Sequence, residues 1–538
     1  MTLVPSVVVI QAAAATKFVQ DVSFQWKILS FLALDFVCYV IYSTIIYPAL
    51  FSPLRHLPQP RVATPLLGHA LAEFKMPRGS EYLRYTNETA NTGLIHLRGL
   101  FGSDQLLLTS QAALSEALVQ RSYDFEWPEG DSNFLQRILG HGLITAEGQE
   151  HKQQRKQVAN SFRPHFIKRF YPLFWEKSMV FTKKIAQEII LNSESLEDAT
   201  MSGETDICGW AQRAALDMIG EAGFGWEFDT LHNPENELAE SFEQIFAPTV
   251  GNAILFAVSV YGPRWALEYV PGGVSKRFLK ATTNVRSVCR AFIRRKTSHA
   301  KISNDILSQL MTQDGISEDL LVDQTLTFLT AGHETVAIAL TWAIYLLAKH
   351  PDIQNQLRLE LSCNLPSKAK VDDISSILES LPILNGVVNE TLRLYPSAPV
   401  AVRVSIRDTY ILNNFVPKGT RLIISPWAFN RSKAVWGPDA ETFLPDRWID
   451  PDGNPNMTGG TGIKSPLLTF LHGPRNCIGQ GFAKAELLAL IGVFSRTFEM
   501  RMIDPGEIKV PGGSLSAKPA GGMRLKLKIV DKTFLHHE

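Results

Sequence analysis

One cysteine, Cys477, stands in the run Phe470-Leu-His-Gly-Pro-Arg-Asn-Cys-Ile-Gly479, with Arg475 just before it and the helix-like run Phe-Ala-Lys-Ala-Glu-Leu-Leu-Ala-Leu after it, starting at Phe482. A thiolate that binds a soft metal from one side needs a backbone free to wrap around the sulfur, which Gly473 and Gly479 supply. It also needs amide N–H groups and a positive end nearby, and the start of the following helix offers both. The run holds no second cysteine, so it does not suit tetrahedral zinc. It suits a cofactor that brings four equatorial ligands of its own, which is haem. The plain alternative is a buried structural cysteine beside a glycine-rich turn.

Other residues have spacings that chemistry could use. Ala331-Gly332-His333-Glu334-Thr335 places an acid and a hydroxyl side by side in a long helical pattern. A glycine there costs about 1 kcal/mol against alanine, which asks for a reason: a close-approaching ligand, or a helix that loosens. The plain reading is a threonine back-bonded to a carbonyl in a kinked core helix. His151 and Arg155 are four apart and share a helix face, which on its own is a solvated basic face among Lys152, Lys156, Arg163, Lys168 and Arg169. Glu390 and Arg393 are three apart and adjacent on a helix. Such pairs are usually exposed and contribute little.

Together these runs resemble the cytochrome P450 family. Phe470, Gly473, Arg475, Cys477 and Gly479 match Phe-x-x-Gly-x-Arg-x-Cys-x-Gly in full, and residues 331–335 match Ala-Gly-x-Asp/Glu-Thr. Glu390 and Arg393 match Glu-x-x-Arg, and Pro445-Asp446-Arg447-Trp448 matches Pro-x-Arg-Phe/Trp, in the family's order. The resemblance implies a mainly α chain with small β-sheets (α+β) carrying haem b on an axial thiolate. Cys477 would be that ligand, with Phe470 packed beside the sulfur and Gly479 and Ala331 also at the cofactor. Arg475, Arg155 and Arg403 would hold the haem propionates. His151, standing where the family has a tryptophan, would be a further N–H donor. Thr335 would hydrogen-bond dioxygen at the haem and Glu334 would supply its protons. Glu390, Arg393 and Arg447 would form a buried structural triad, and Val400, Ala401 and Leu515 would meet the substrate.

The activity so implied is a haem-thiolate monooxygenase acting on a lipophilic small molecule, loosely most like fungal members that oxidise terpenoid, polyketide or alkaloid intermediates. Its electrons would come from an NADPH-dependent reductase, with Lys152 and Lys156 as candidate contacts. Two other classes remain in view. One is an O₂-independent haem-thiolate isomerase or dehydratase, whose members tend to lose the acid or the threonine. The other is a non-catalytic haem-binding protein, against which the acid–alcohol pair argues.

The elements that must position these residues can be read in outline. Ser317 is a plausible cap for a helix with Glu318 and Asp319 in its first turn and Pro351 beyond its end. At 1.5 Å per residue that helix spans ~50 Å, enough to cross a domain. Residues 381–394 form another helix, stopped by Tyr395-Pro396. Residues 94–98 and 105–109 read as strands, 112–122 and 147–162 as helices, and the glycine-containing stretch 124–141 as a loop. From 171 to about 302 the pattern is mostly amphipathic helix. Within it, 246–260 is unusually apolar and is either core or a second membrane-touching element.

Acidic and basic residues balance at 53 each, so no bulk charge suggests a nucleic-acid partner. The five cysteines are scattered and odd in number, which fits a reducing compartment better than a disulfide framework. Residues 28–47 make an apolar run of about the 20 needed to cross a bilayer, interrupted only by Asp35 and accompanied by Trp26, Tyr39, Tyr42 and Tyr47. Leu3 to Ala15 is too short to span and has no basic flank, so an uncleaved anchor is expected. The expected organisation is an anchor segment over 1–50, a proline-rich hinge over 51–62 and a catalytic domain over 63–538. The expected setting is a single pass in the endoplasmic reticulum membrane with the domain cytosolic. The sequons at Asn87, Asn389 and Asn456 are read as chance occurrences, since Asn389 falls inside a helix expected to be buried.

Overall fold

A computed structural model describes residues 24–61, 64, 66–192, 201–233, 235–298, 304–313, 315–366, 373–507, 509–513, 516–533 and 535. Leu515 and the stretch Leu3–Ala15 lie outside the described residues.

The apolar N-terminal run forms helix α1 (Phe24–Ile41), which continues as a π-helical stretch, Tyr42–Phe51, with Pro48 inside it. Pro48 has no N–H to donate, and the wider helical turn accommodates the missing bond. Residues Ile28–Phe51 are apolar and long enough to cross a membrane, with their apolar faces outward: Trp26, Leu32 and Leu50 are each at least 60% exposed. The lower end is fastened to the domain. Tyr47 Oη donates to Asp104 Oδ2 (3.0 Å), Ser52 Oγ donates to Asp104 Oδ1 (2.9 Å), and buried His96 Nε2 lies 2.7 Å from that same Oδ1. The segment after it is packed, with Leu54 and Leu57 in a core cluster beside Leu94, Leu106 and Leu422.

Leu94–Arg98 (β1) and Asp104–Leu108 (β2) pair antiparallel, Leu94 opposite Leu108. Phe125–Glu126 (β3), Ala401–Ser405 (β5) and Arg421–Ile424 (β8) complete a five-stranded sheet in the order β1-β2-β8-β5-β3, with β2 and β8 parallel. A second sheet, β4-β10-β9, joins Ser202–Asp206 (β4), Phe498–Met502 (β9) and Arg524–Ile529 (β10). The remaining pair is Thr409–Ile411 (β6) with Asn414–Val416 (β7).

The bulk of the chain is helical. In chain order, α2 is Glu129–Leu139, α3 Gly148–Ala159, α4 Tyr171–Asn192, α5 Ile207–Phe224, α6 Glu237–Phe246 and α7 Val250–Tyr261. Then follow α8 (Val274–Ser298), α9 (Glu318–Lys349), α10 (Pro351–Asn364), α11 (Pro382–Leu394) and α12 (Gln480–Thr497). The central member is α9. Ser317 Oγ accepts from Leu320 N (3.2 Å), Glu318 and Asp319 sit in its first turn, and Lys349 in its last. Almost its whole length is buried, so this second long apolar helix is core. Helix α5, capped by Asp206 and closed by Gly225 in the left-handed region (φ 61°), packs along it.

One element departs from the sequence reading. Residues 124–141 are not a loop: Glu129–Leu139 is helical and buries Phe134, Ile138 and Leu139. Its glycine serves packing, because a Cβ on Gly130 would lie 2.2 Å from the Val260 carbonyl oxygen of α7. The apolar stretch 246–260 divides between α6 and α7, which meet at 66°. Leu255 and Phe256 are buried there, while Val250 is 78% exposed.

Candidate functional site

The loop carrying Cys477 is shaped by its backbone. Leu471 adopts φ 54°, a left-handed conformation unfavourable by about 1 kcal/mol or more for a residue with a Cβ. Cys477 N donates to Phe470 O (2.8 Å), closing the loop. Gly473 is required twice over: its φ is 76°, and a Cβ there would lie 2.0 Å from Leu118 O. Gly479 has φ −83° and needs no such freedom; a Cβ there would sit 3.9 Å from Cys477 Sγ. Phe470 is buried in the main core cluster beneath the loop.

The Cys477 side chain keeps an accessible surface within its loop. Burial pushes its thiol up, while the Gly479 N–H and the Arg155 guanidinium favour the thiolate. Helix α12 begins at Gln480, directing its positive end toward the loop.

Helix α9 contributes a second partly accessible surface. Between Leu321 and Ala348 its residues are buried except Ala331, Gly332 and Thr335. Their spacing puts all three on one face, which keeps accessible surface within an otherwise buried helix. The helix runs unbroken through them. Gly332 is explained by its neighbour: a Cβ there would stand 3.0 Å from Ile219 Cγ1 and Cδ1 of α5. Thr335 Oγ1 donates to Ala331 O (2.7 Å), the back-bond its sequence position allows. Ser397 Oγ donates to Thr335 O (2.8 Å), tying this turn to the segment that leads into β5. Glu334 is 3% exposed, and burial raises its carboxyl to about 7 despite the nearby Lys518 cation.

Basic residues gather near the cysteine loop. Arg403, on β5, is buried with its guanidinium 4.2 Å from the Trp127 ring centre, and burial together with Arg475 lowers it to about 10. Arg475 Nη1 donates to Glu147 Oε2, whose other oxygen accepts from Trp127 N (2.9 Å). Arg475 Nε and Nη2 and His472 Nε2 are buried and find no hydrogen-bond partner among the described residues. His151, on α3, is 4% exposed; its Nδ1 lies 3.1 Å from Tyr123 Oη. Burial, then Arg475, Arg155 and Arg403, depress it to about 4, so it is neutral at physiological pH. Arg155 places both terminal nitrogens on Asn476, at the carbonyl and at the side-chain oxygen, each 2.6 Å away.

Buried donors without acceptors are unfavourable, and clustered cations call for anions. A hollow lined by Arg403, His472, Arg475, Leu118, Phe125 and Leu471 combines both needs with apolar walls. The chemistry of this donor set fits a flat apolar cofactor bearing carboxylates, and a lone soft sulfur nearby fits its metal. Haem has both properties, so the residues present fit it.

The Glu390–Arg393–Arg447 triad is assembled on the far side of α11. Arg393 donates to Glu390 through Nε (2.8 Å) and Nη2 (2.7 Å), Arg447 Nε donates to Glu390 Oε1 (3.0 Å), and Trp448 Nε1 donates to Oε2 (2.9 Å). Arg393 also donates to the carbonyls of Asn430 (2.7 Å) and Thr442 (3.0 Å), stitching α11 to the chain that precedes the cysteine loop. Both Glu390 and Arg393 are fully buried. Val400 and Ala401 are half-buried at the start of β5, while Asn389 is buried inside α11. Lys152 and Lys156 are exposed, Lys152 lying 4.4 Å from the Tyr123 ring centre.

Sequence reasoning missed Tyr123, Trp127, Glu147, His472 and Asn476. Glu147 carried a local signal, being the residue ahead of α3. His472 and Asn476 lie in the cysteine run itself, beside the residues that were read; Tyr123 and Trp127 meet the site only through tertiary contacts.

A family model described as cytochrome P450 matches residues 58–524. The chain is 37% identical over 496 residues to cytochrome P450 monooxygenase ptmK of Penicillium ochrochloron, covering 91% of this chain and 96% of that one. It is 38% identical over 505 residues to cytochrome P450 monooxygenase sphH of Aspergillus fumigatus, covering 91% of each. It is also 34% identical over 547 residues to cytochrome P450 monooxygenase FUM15 of Gibberella moniliformis, with 92% and 91% covered.

Proposed function

This chain belongs to the cytochrome P450 family, and on that premise we propose that it is a haem-thiolate monooxygenase acting on a lipophilic small molecule of secondary metabolism. The observation that carries the reading is the Cys477 loop with its accessible thiol and its buried Arg475 and His472 donors that find no acceptor among the described residues, in a chain whose helix α9 leaves Ala331, Gly332 and Thr335 partly accessible within a buried stretch. Bound haem b supplies the reductive activation of O₂ that side chains cannot perform.

The chain's own residues divide the remaining work. Cys477 would hold the haem iron through its sulfur, with Gly473 letting the loop close around it. Arg475 meets carboxylates with two donors that find no acceptor among the described residues, and buried Arg403 adds a second cation beside it. Neutral His151 adds an N–H, and Arg155 holds the loop through Asn476. Glu334, able to carry a proton near neutral pH, is the proton source, and the Thr335 hydroxyl turns from the Ala331 carbonyl to present it. Val400 and Ala401 are proposed substrate contacts, supported by their half-buried position beside the turn that Ser397 ties to Thr335.

Residues 1–50 are proposed as the anchor segment, 51–62 as its connection and 63–538 as the catalytic domain. The apolar helix supports a single pass, proposed to lie in the endoplasmic reticulum with the domain cytosolic. Electrons are proposed to come from an NADPH-dependent reductase, with exposed Lys152 and Lys156 as docking cations. Expression with such a reductase, followed by mass analysis of a terpenoid, polyketide and alkaloid panel, tests the reading. A product gaining one oxygen from O₂, and requiring NADPH, supports it; turnover without either would replace it.

A further inference from the structure

Behind Glu334 lies a second set of charges that the residues above do not use. Lys518, on the C-terminal segment, is 9% exposed at its side chain and donates to Glu243 Oε2 of α6 (2.8 Å), whose side chain is 53% exposed. Gln212 of α5 bridges them. Its amide is satisfied when the oxygen accepts from Lys518 Nζ (2.9 Å) and the nitrogen donates to Glu243 Oε2 (3.1 Å). The amide atom beside Lys518 is 3.4 Å from Glu334 Oε2, and Ser516 Oγ is 3.4 Å from Glu334 Oε1. A buried acid therefore connects to solvent through one amide, one buried cation and one half-exposed carboxylate.

We propose that Lys518 and Glu243 regulate the proton supply of Glu334, as a buried cation shared between that acid and a carboxylate open to water. The logic is a competition for one charge. When Glu334 is ionised, Lys518 stabilises it; when Glu334 takes a proton, Lys518 belongs to Glu243 alone. Gln212 registers the difference, since its oxygen accepts a proton-bearing Glu334 but repels an ionised one. The step moves one proton and no electrons: the Glu334 O–H breaks as its proton leaves for the chemistry, and bulk water restores it on the side where Glu243 is exposed.

The other groups around the cluster do not compete. On α5, Cys208 is buried, its thiol pushed up to about 12 by burial and Asp206, so it stays neutral. On α9, His333 packs at a tilt against the Phe242 ring of α6 (ring centres 4.7 Å apart) and is lowered to about 3 by burial and Lys518, so it is also neutral. Asp206 is committed to capping α5 through Cys208 N and Gly209 N. Burial lowers Lys518, but Glu334 and Glu243 outweigh it and the net direction is upward, so it stays charged.

This inference rests on Glu334 being the proton source, and its test separates the two. Infrared titration of the haem-loaded full-length protein follows the Glu334 carboxyl band, assigned by its loss in Glu334→Gln, and does not depend on turnover. Glu334→Gln turnover reads the role of the acid itself. Lys518→Met should move the titration midpoint up by roughly one pH unit or more, Glu243→Gln should move it down, and Lys518→Arg should keep it near that of the unaltered protein. Opposite shifts are a signature that loose packing does not produce. Should Lys518→Met fail to fold, Glu243→Gln on its half-exposed site carries the test. Midpoints that do not move, or that move in the same direction, overturn the proposal.

Discussion

Arg155 grips Asn476 with both terminal nitrogens, at 2.6 Å to the backbone oxygen and 2.6 Å to the side-chain oxygen. Helix α3 thereby holds the residue just before Cys477. Hydrogen bonds from a charged donor contribute about 1.5–3 kcal/mol, so Arg155→Met should loosen the loop while leaving the fold intact. The haem-to-protein ratio after purification should fall severalfold; Asn476→Ala, which spares the backbone contact, should fall less.

Cys477→Ala removes the sulfur without disturbing Gly473 or the Cys477 N to Phe470 O bond that shapes the loop. The thiolate-type ferrous–CO spectrum should vanish while thermal unfolding changes little. Survival of that spectrum would place the axial ligand elsewhere.

Thr335→Ala deletes a hydroxyl whose observed partner is the Ala331 carbonyl. The ferrous–CO spectrum should be unchanged, and product formed per NADPH should drop by about tenfold or more as peroxide rises. An unchanged coupling ratio would remove the role assigned to Thr335.

Glu390 accepts from Arg393, Arg447 and Trp448 at once in a fully buried setting. Removing one partner of a buried pair costs about 3–5 kcal/mol, so Glu390→Gln should lower the unfolding temperature steeply and reduce the yield of folded protein. An exposed pair such as Arg84–Glu88 should respond far less when broken.

Glu334 sets a pH dependence of stability. Its carboxyl is raised from 4.5 to about 7 in the folded chain, so the folded state binds the proton more tightly than the unfolded state. Its contribution is therefore present at low pH and is lost as pH climbs from about 4.5 through about 7. The loss is of order 3 kcal/mol at most. Unfolding temperatures measured across that window should decline less in Glu334→Gln than in the unaltered chain; identical profiles would refute the assignment.

The sequence disclosed the motif residues and the bounds of α9 because these are local: Ser317 and Pro351 mark the helix ends, and the cysteine loop is contiguous. Glycines misled where packing, not turning, required them. Gly130 lets α2 approach the Val260 carbonyl, and its loop-like look hid a helix whose apolar residues recur with helical spacing. Gly332 likewise answers to Ile219 rather than to a loosened backbone. The charges behind Glu334 were beyond reach, since Gln212, Glu243 and Lys518 come from three distant segments and meet only when α5, α6 and the C-terminal segment close on α9. The packed state of Leu54 and Leu57 was concealed in the same way by the surrounding prolines.

The double fastening of Tyr47 and Ser52 to Asp104 has a mechanical outcome. A rod clamped at its base transmits torque, whereas a rope does not. A bilayer gripping Ile28–Phe51 would therefore set the attitude of the whole body, so that any tilt of the rod in thicker or thinner lipid would swing the catalytic centre through the same arc.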